Sequence, residues 1–400
     1  MKHTRIAAGL LAGSVAFTLA ACSPSNGGGD EVTSLTIWDY FTHLDSESHL
    51  ARLYEACEEE TGISIERTAD AALADSLLQA ASGGSTPDLV ILDNPNVAEF
   101  AETGLLVSNA DSGLDVGEQR ENILAAAQSG GEEYGGSIGS NTLALFYNTE
   151  MLAAAGVEPP TNWDEFKAAV AATTVGDVYG IAFSAIAGEE ASFQFEPFLW
   201  GAGGSLEDLS SPEAVEALTL WTDWVANGQA SQSNLSANQQ DIRDQFASGN
   251  AAMMINGTWQ LNALNESGIP YAVVPIPAID GGPAPSPLGG EFIQIVAGDE
   301  ARVAASTEFA QCLIEPSNLG EWIAAQSYVS PYPAESDKQA AENEALVPWV
   351  DAIAVAEGRT ADLGSAYPTV SRALSTAIQE ALSGVKSPSE ALEAAQASVE

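Results

Sequence analysis

Apolar positions along this 400-residue chain switch repeatedly between a period of two and one near 3.6, and each switch marks an element. Leu35-Thr36-Ile37-Trp38 alternates like a strand, residues 46–60 have helical spacing with Gly62 past their end, and Ile63 and Ile65 start a second strand. Residues 71–81 read as a helix, 83–87 as a turn and 88–92 as a largely apolar third strand. This βαβαβ succession predicts a parallel sheet with helices on its faces. Asp93-Asn94-Pro95-Asn96 then reads as a loop before a helix ending at Gly104.

Residues 135–147 predict a strand pair broken at Ser140-Asn141, with Asn148 capping a helix from Met151. Thr161-Asn162-Trp163-Asp164 is a helix start, residues 181–184 a strand, and residues 192–197 the approach to a helix that stops at Gly203-Gly204. Ser211-Pro212 supplies an N-cap and a proline at the first helical position. Trp221 shares that helix's apolar stripe with Leu218 and Val225, and Trp224 stands at its edge, so both rings are core candidates.

The most informative stretch is FASGNAAMMINGTWQL, residues 246–261. A helix closes at Phe246, Gly249 supplies its left-handed end, and residues 251–255 form an apolar run without a polar face, as in a fully buried strand. Asn256-Gly257-Thr258 breaks the run, with Thr258 expected to cap a helix beginning at Trp259. A strand end feeding a helix N-terminus is where open α/β sheets place ligands. An aromatic ring beside free N–H donors suits a sugar, although Trp259 serves equally well as a core anchor.

Downstream, residues 271–279 and 292–296 read as strands around a Gly/Pro-rich loop, and helices follow around Phe309 and Trp322, the second begun by Ser317. Residues 329–333 form an irregular crossover. The tail is helical over 347–357, 367–382 and 387–397, where Ser387 and Glu390 make a capping box.

Composition narrows the partners. With 56 acidic against 12 basic side chains and a formal charge of −44, binding of nucleic acid or anionic lipid through a basic patch is untenable. A 46% apolar content is ample for two cores. At the N-terminus, Lys2 and Arg5 precede an apolar stretch over 6–18 that is too short to span a membrane. Leu19-Ala20-Ala21-Cys22 then resembles a bacterial lipoprotein signal, cut before a cysteine that becomes diacylated, and an ordinary secretory cleavage site beside a chance cysteine is the alternative. Residues 23–31, with three consecutive glycines, read as a flexible tether.

Cys57 and Cys312 each lie on the apolar side of a helix and read as buried small hydrophobes or as a disulfide. No metal site is expected, since His43 and His49 are the only histidines beyond the signal. No phosphate loop, nucleophile elbow or Ser/Cys–His pairing stands out either.

The segments PDLVILDNPNVAEFAETGLL (87–106), LALFYNTEMLAAAG (143–156) and FASGNAAMMINGTWQL occur in an order and spacing that resembles the family 1 extracellular solute-binding proteins, the carbohydrate receptors of ABC importers. The resemblance covers nearly the whole mature chain. It implies a two-lobed α/β fold of the periplasmic-binding-protein kind (type II), each lobe a mostly parallel sheet flanked by helices, joined by three crossovers. Residues 1–21 would be the signal peptide and 22–31 the tether. Residues 32–140 with 292–333 would form lobe 1, and 141–291 with 334–400 lobe 2. Both cysteine helices then fall in lobe 1, which makes a Cys57–Cys312 bridge possible.

The resemblance also implies a monomeric receptor without catalysis or cofactor, whose partners are a carbohydrate and the permease subunits of the importer. It places ligand contacts at Tyr40, Thr42 and His43 after the first strand, and at Asp93, Asn94 and Asn96 after the third. Asn141 lies at the first crossing, and Phe193 and Gln194 lie in the second lobe, with Trp259 as platform. Gly290, Glu291 and Phe292 occupy the return crossing, while Tyr367, Ser371 and Arg372 open a late helix. Asn141 stands where a maltodextrin-binding member has Glu, and Pro95-Asn96 where it has Asp-Arg, which leaves the particular sugar open.

Residue by residue, plainer roles compete. Asp93 and Asn94 are ordinary turn formers before a proline, His43 could be merely exposed, and Arg372 could only pair with an acid. Two other functions also compete. A receptor for peptides or polyamines would place carboxylates around a cationic ligand, and an extracellular carbohydrate-active enzyme would show turnover.

Overall fold

Eight strands organise the protein in the computed structural model, which describes residues 32–400. The expected signal peptide, the tether and Cys22 lie outside the described residues. In chain order the strands are β1 (Ser34–Asp39), β2 (Ser64–Ala69), β3 (Leu89–Asp93), β4 (Gly136–Ser137), β5 (Leu143–Asn148), β6 (Met253–Gly257), β7 (Tyr271–Val274) and β8 (Glu291–Ile295).

The first sheet has the order β2-β1-β3-β8-β4. β1 runs parallel to β2 and β3, as the βαβαβ reading predicts. β8 joins antiparallel to β3, because it arrives from a loop and needs no helical crossover to reach the sheet. Its register sets Glu291 opposite Asp93. β8 is buried throughout, its polar Glu291 and Gln294 included, whereas β2 at the edge alternates. The second sheet is β6-β5-β7, antiparallel on both sides of β5.

Local signals set most helix ends. Ser48 caps the helix His49–Thr61 and Gly62 closes it at φ 73°. Asn148 Oδ1 accepts from the N–H groups of Glu150 and Met151, so the helix starts at Thr149, two residues earlier than expected. Ser387 and Glu390 form the capping box of Pro388–Val399. Trp221 and Trp224 are fully buried among Phe166, Phe183 and Phe198, in edge-to-face and tilted contacts.

Several expectations need correction. Residues 181–184 form no ladder strand. They lie along β6 by single bridges, with Ala182 donating to Met253 and accepting from Ile255, while the Ser184 N–H turns to Gln194 Oε1. β7 ends at Val274, since Pro275 and Pro277 have no N–H for a ladder. No loop follows β3: the helix Asn94–Glu102 begins at once, with Pro95 in its first turn. The helix expected after residue 197 already spans Glu189–Gly201 and contains Pro197. Thr258 caps nothing; it opens a 3₁₀ turn (Thr258–Gln260), and the α-helix starts only at Leu261. A helix at Pro333–Glu342, led by its own proline, had no sequence expectation.

Cys57 and Cys312 are joined in a disulfide between the helices His49–Thr61 and Glu300–Ile314, so the reading as two free buried thiols gives way. The link crosses 255 positions of sequence.

Candidate functional site

A cavity of about 1140 Å³ opens beside the carboxyl ends of β1, β3 and β6. Its chemistry starts at the facing residues Asp93 and Glu291. Glu291 is 4% exposed, and both tyrosine hydroxyls nearby, Tyr40 at 2.5 Å and Tyr328 at 3.1 Å, donate to its Oε1. Its Oε2 is buried without a partner. Burial is the first cause that pushes the Glu291 carboxyl up to about 7, with Asp93 adding to it and the tyrosine hydrogen bonds opposing.

That shift has a sign. The folded protein keeps a proton that the unfolded chain has already lost in the window between about 4.5 and about 7. Glu291 therefore contributes stability that is fully present below about pH 4.5 and is lost as pH rises through about 7, on the order of 3 kcal/mol. Melting curves of wild type and Glu291→Gln across that window should show a falling wild-type trend that the variant flattens. Equal slopes would contradict the assignment.

The opposite wall is built around Arg359. Its Nη2 donates to Asp93 Oδ1 and its Nη1 to Glu189 Oε1, each at 2.6 Å, and Nε donates to the Leu288 carbonyl. The guanidinium lies 4.8 Å from the Phe193 ring centre, so an aromatic face covers a cation whose side chain is only 2% exposed. Behind it, Tyr367 Oη lies 2.6 Å from Glu189 and 2.7 Å from Glu196. The Tyr367 hydroxyl thus stands as a donor between the two carboxyls, Glu189 and Glu196. Burial, then the nearby Glu189, pushes Glu196 up to about 8.

Trp259 completes the aromatic lining, half-buried, with its ring centre 6.2 Å from that of Phe193. Gly257 holds it there: a Cβ on Gly257 would lie 2.0 Å from Trp259 Cζ3. Gly290, at φ +123°, passes so close to the Gly139 carbonyl that a Cβ would sit 2.2 Å from its oxygen.

Of the residues expected at the ligand, Tyr40, His43, Asp93, Asn96 and Asn141 stand in the cavity wall, and so do Phe193, Trp259, Gly290 and Glu291. The others are placed elsewhere. Thr42 is exposed outside the wall. Asn94 is buried in the first helical turn, donating to the Leu288 and Gly290 carbonyls. Gln194 is buried between Ser184 and Ile255, because the earlier helix start turns it inward. Phe292 points into the core as the strand neighbour of Glu291. Tyr367 and Ser371 support Glu189 from behind, and Arg372 is exposed against Thr369.

Sequence reasoning missed Arg359, Tyr328, Glu189, Glu190 and Arg243, all of which line the cavity. A lone arginine after an apolar helix, in a chain with so few cations, was the one available signal for Arg359.

A family model described as bacterial extracellular solute-binding protein matches residues 52–348. The chain is similar to the maltotriose-binding protein of Pyrococcus abyssi, 29% identical over 271 residues, covering 64% of this chain and 56% of that one. It is also similar to the maltooligosaccharide ABC transporter solute-binding lipoprotein of Streptococcus pneumoniae strain R6, 22% identical over 318 residues, 74% and 71% of the two chains. The chain spans about half the length of the first curated relatives it matches. Among solved structures, an ABC transporter solute-binding protein from Thermotoga lettingae bound with alpha-D-tagatose superposes at TM-score 0.79 and 25% identity, covering 92% of this chain and 98% of that one.

Proposed function

Because the chain belongs to the bacterial extracellular solute-binding proteins, we propose that it captures a carbohydrate and delivers it to the permease of an ABC importer. One observation carries this reading: the rings of Tyr40, Phe193 and Trp259 share a cavity with amide and carboxyl groups. A pyranose has apolar faces for the rings and hydroxyl edges for the polar groups. The cavity exceeds the roughly 300–1,000 Å³ of ordinary small-molecule pockets, which favours an oligosaccharide over a single sugar. The relatives named for maltotriose and maltooligosaccharides support the same class.

In this reading residues 32–140 with 292–333 and residues 141–291 with 334–400 act as two lobes that close over the ligand as a monomer, and the permease recognises the closed form. No catalytic step is assigned to the site. A thermal-shift screen against mono- and oligosaccharides tests the reading, since a ligand at ~100 times its dissociation constant adds roughly 2.7 kcal/mol. No shift with any saccharide would overturn it.

Trp259 gives the sharper test. Trp259→Ala should weaken the best ligand of that screen roughly 10- to 100-fold by titration calorimetry, with a small change in melting temperature, because the ring is half-buried in the cavity wall. Gly257→Ala, which must displace the ring, should reproduce the loss. Unchanged affinity in both would make Trp259 a core anchor only.

The anchor is a separate expectation. Cys22 should be the diacylated first residue of the mature protein, and Cys22→Ser should release the protein into the medium. Membrane association unchanged in that variant would refute it.

A further inference from the structure

The cations of the cavity are spent on internal partners, and some of its carboxyls are not. Arg359 gives three of its five N–H groups to Asp93, Glu189 and the Leu288 carbonyl, and Arg243 pairs with Asp244. Asp75, Glu190 and Glu291 stand in the wall without a basic partner among the described residues. An acidic lining alone says little in so acidic a chain. Glu291 says more, because its Oε1 is held by two tyrosine hydroxyls while Oε2, buried, has no hydrogen-bond partner at all. Glu190 Oε1 is a second buried carboxyl oxygen left unpaired. A buried acceptor without a partner is costly, and a ligand donor that meets it recovers that cost.

We propose that the cavity selects a saccharide bearing a free amino group, a glucosamine-type sugar, whose ammonium donates to Glu291 Oε2. The inference rests on the carbohydrate reading above and narrows its substrate class. An ammonium supplies three donors and a full charge, so its bond to a carboxylate is shorter and about twice as strong as that of a neutral hydroxyl. The two tyrosines hold Oε1, and Oε2 is the carboxyl oxygen left without a partner for it to meet. The raised affinity of Glu291 for its proton fits an empty site, since a neutral acid is cheaper to bury there until a cation arrives.

Titration calorimetry at pH 7 with glucosamine dimers and trimers, their N-acetylated counterparts and maltotriose tests the proposal. The free amines should bind at least tenfold more tightly than the acetylated sugars. Glu291→Gln, which keeps the size of the side chain, should shrink that preference to about twofold or less while its melting curve shows a folded protein. In wild type the preference should also fade at pH 9, above the ~7.7–8.0 of an α-amino group, an amine whose basicity is likewise lowered by electron-withdrawing neighbours. Equal affinities for free and acetylated sugars, or a preference that survives in Glu291→Gln, would overturn amine selection and leave the carbohydrate reading standing. Binding of spermidine with no saccharide bound would overturn both.

Discussion

Arg359→Met is expected to lower the free energy of unfolding by about 3 kcal/mol, near the lower end of the range for breaking a buried ion pair. The side chain is 2% exposed and holds Asp93 and Glu189 together at 2.6 Å each, so its removal leaves two carboxylates without the cation between them. Their own side-chain exposures of 28% and 37% allow water to relieve part of the cost. Urea denaturation followed by circular dichroism measures the loss. Adding Asp93→Asn to Arg359→Met should recover part of it, because one of the stranded charges is then gone. A midpoint unmoved by Arg359→Met would mean that the guanidinium is not a structural tie, and its place in the wall would then concern ligand alone.

The disulfide carries the second large effect. Replacing Cys57 and Cys312 by alanine should cost about 2–5 kcal/mol, because the bridge restricts a loop of 255 residues in the unfolded chain and longer loops lose more freedom. The same change should shift the denaturation midpoint by a comparable amount when the wild-type protein is reduced. Intact mass after alkylation without reductant should show no label on either residue. Two labels would remove the bridge and return both cysteines to ordinary core positions.

Much of the fold was legible because it depends on local chemistry. Asn148, Asn162, Ser211 and Ser387 mark helix starts with a side-chain oxygen that accepts from backbone N–H groups, and that needs no tertiary partner. The apolar run before Asp93, short and bounded by a turn, read as a buried strand and is one. The errors fell where a distant group competed for the same backbone. Residues 181–184 look like a strand in isolation, but Gln194 takes the Ser184 N–H and ends the pairing. Thr258 looks like a cap, but its Oγ1 is buried without a partner in a 3₁₀ turn.

The site divides along the same line. Asp93 and Glu291 sit at strand ends and Trp259 in the turn after one, positions that the family resemblance singled out. Which neighbour of such a residue reaches the cavity was set by the pleat and by helix phase. Phe292 alternates away from Glu291, and Asn94 turns inward because the helix starts at once. Arg359 and Tyr328 come from segments 266 and 37 residues away from the carboxylates they meet, a proximity that no local pattern encodes.

The sequence by itself determined the α/β class, the capped helices, the acidic exclusion of anionic partners and the three segments that carry the family resemblance. Only the tertiary structure decided the antiparallel seat of β8, the Cys57–Cys312 link and the Arg359 tie between Asp93 and Glu189. The physical reason is range. Periodicity and capping act over a few residues, whereas charge pairing and strand register join parts of the chain that meet only once the whole has folded.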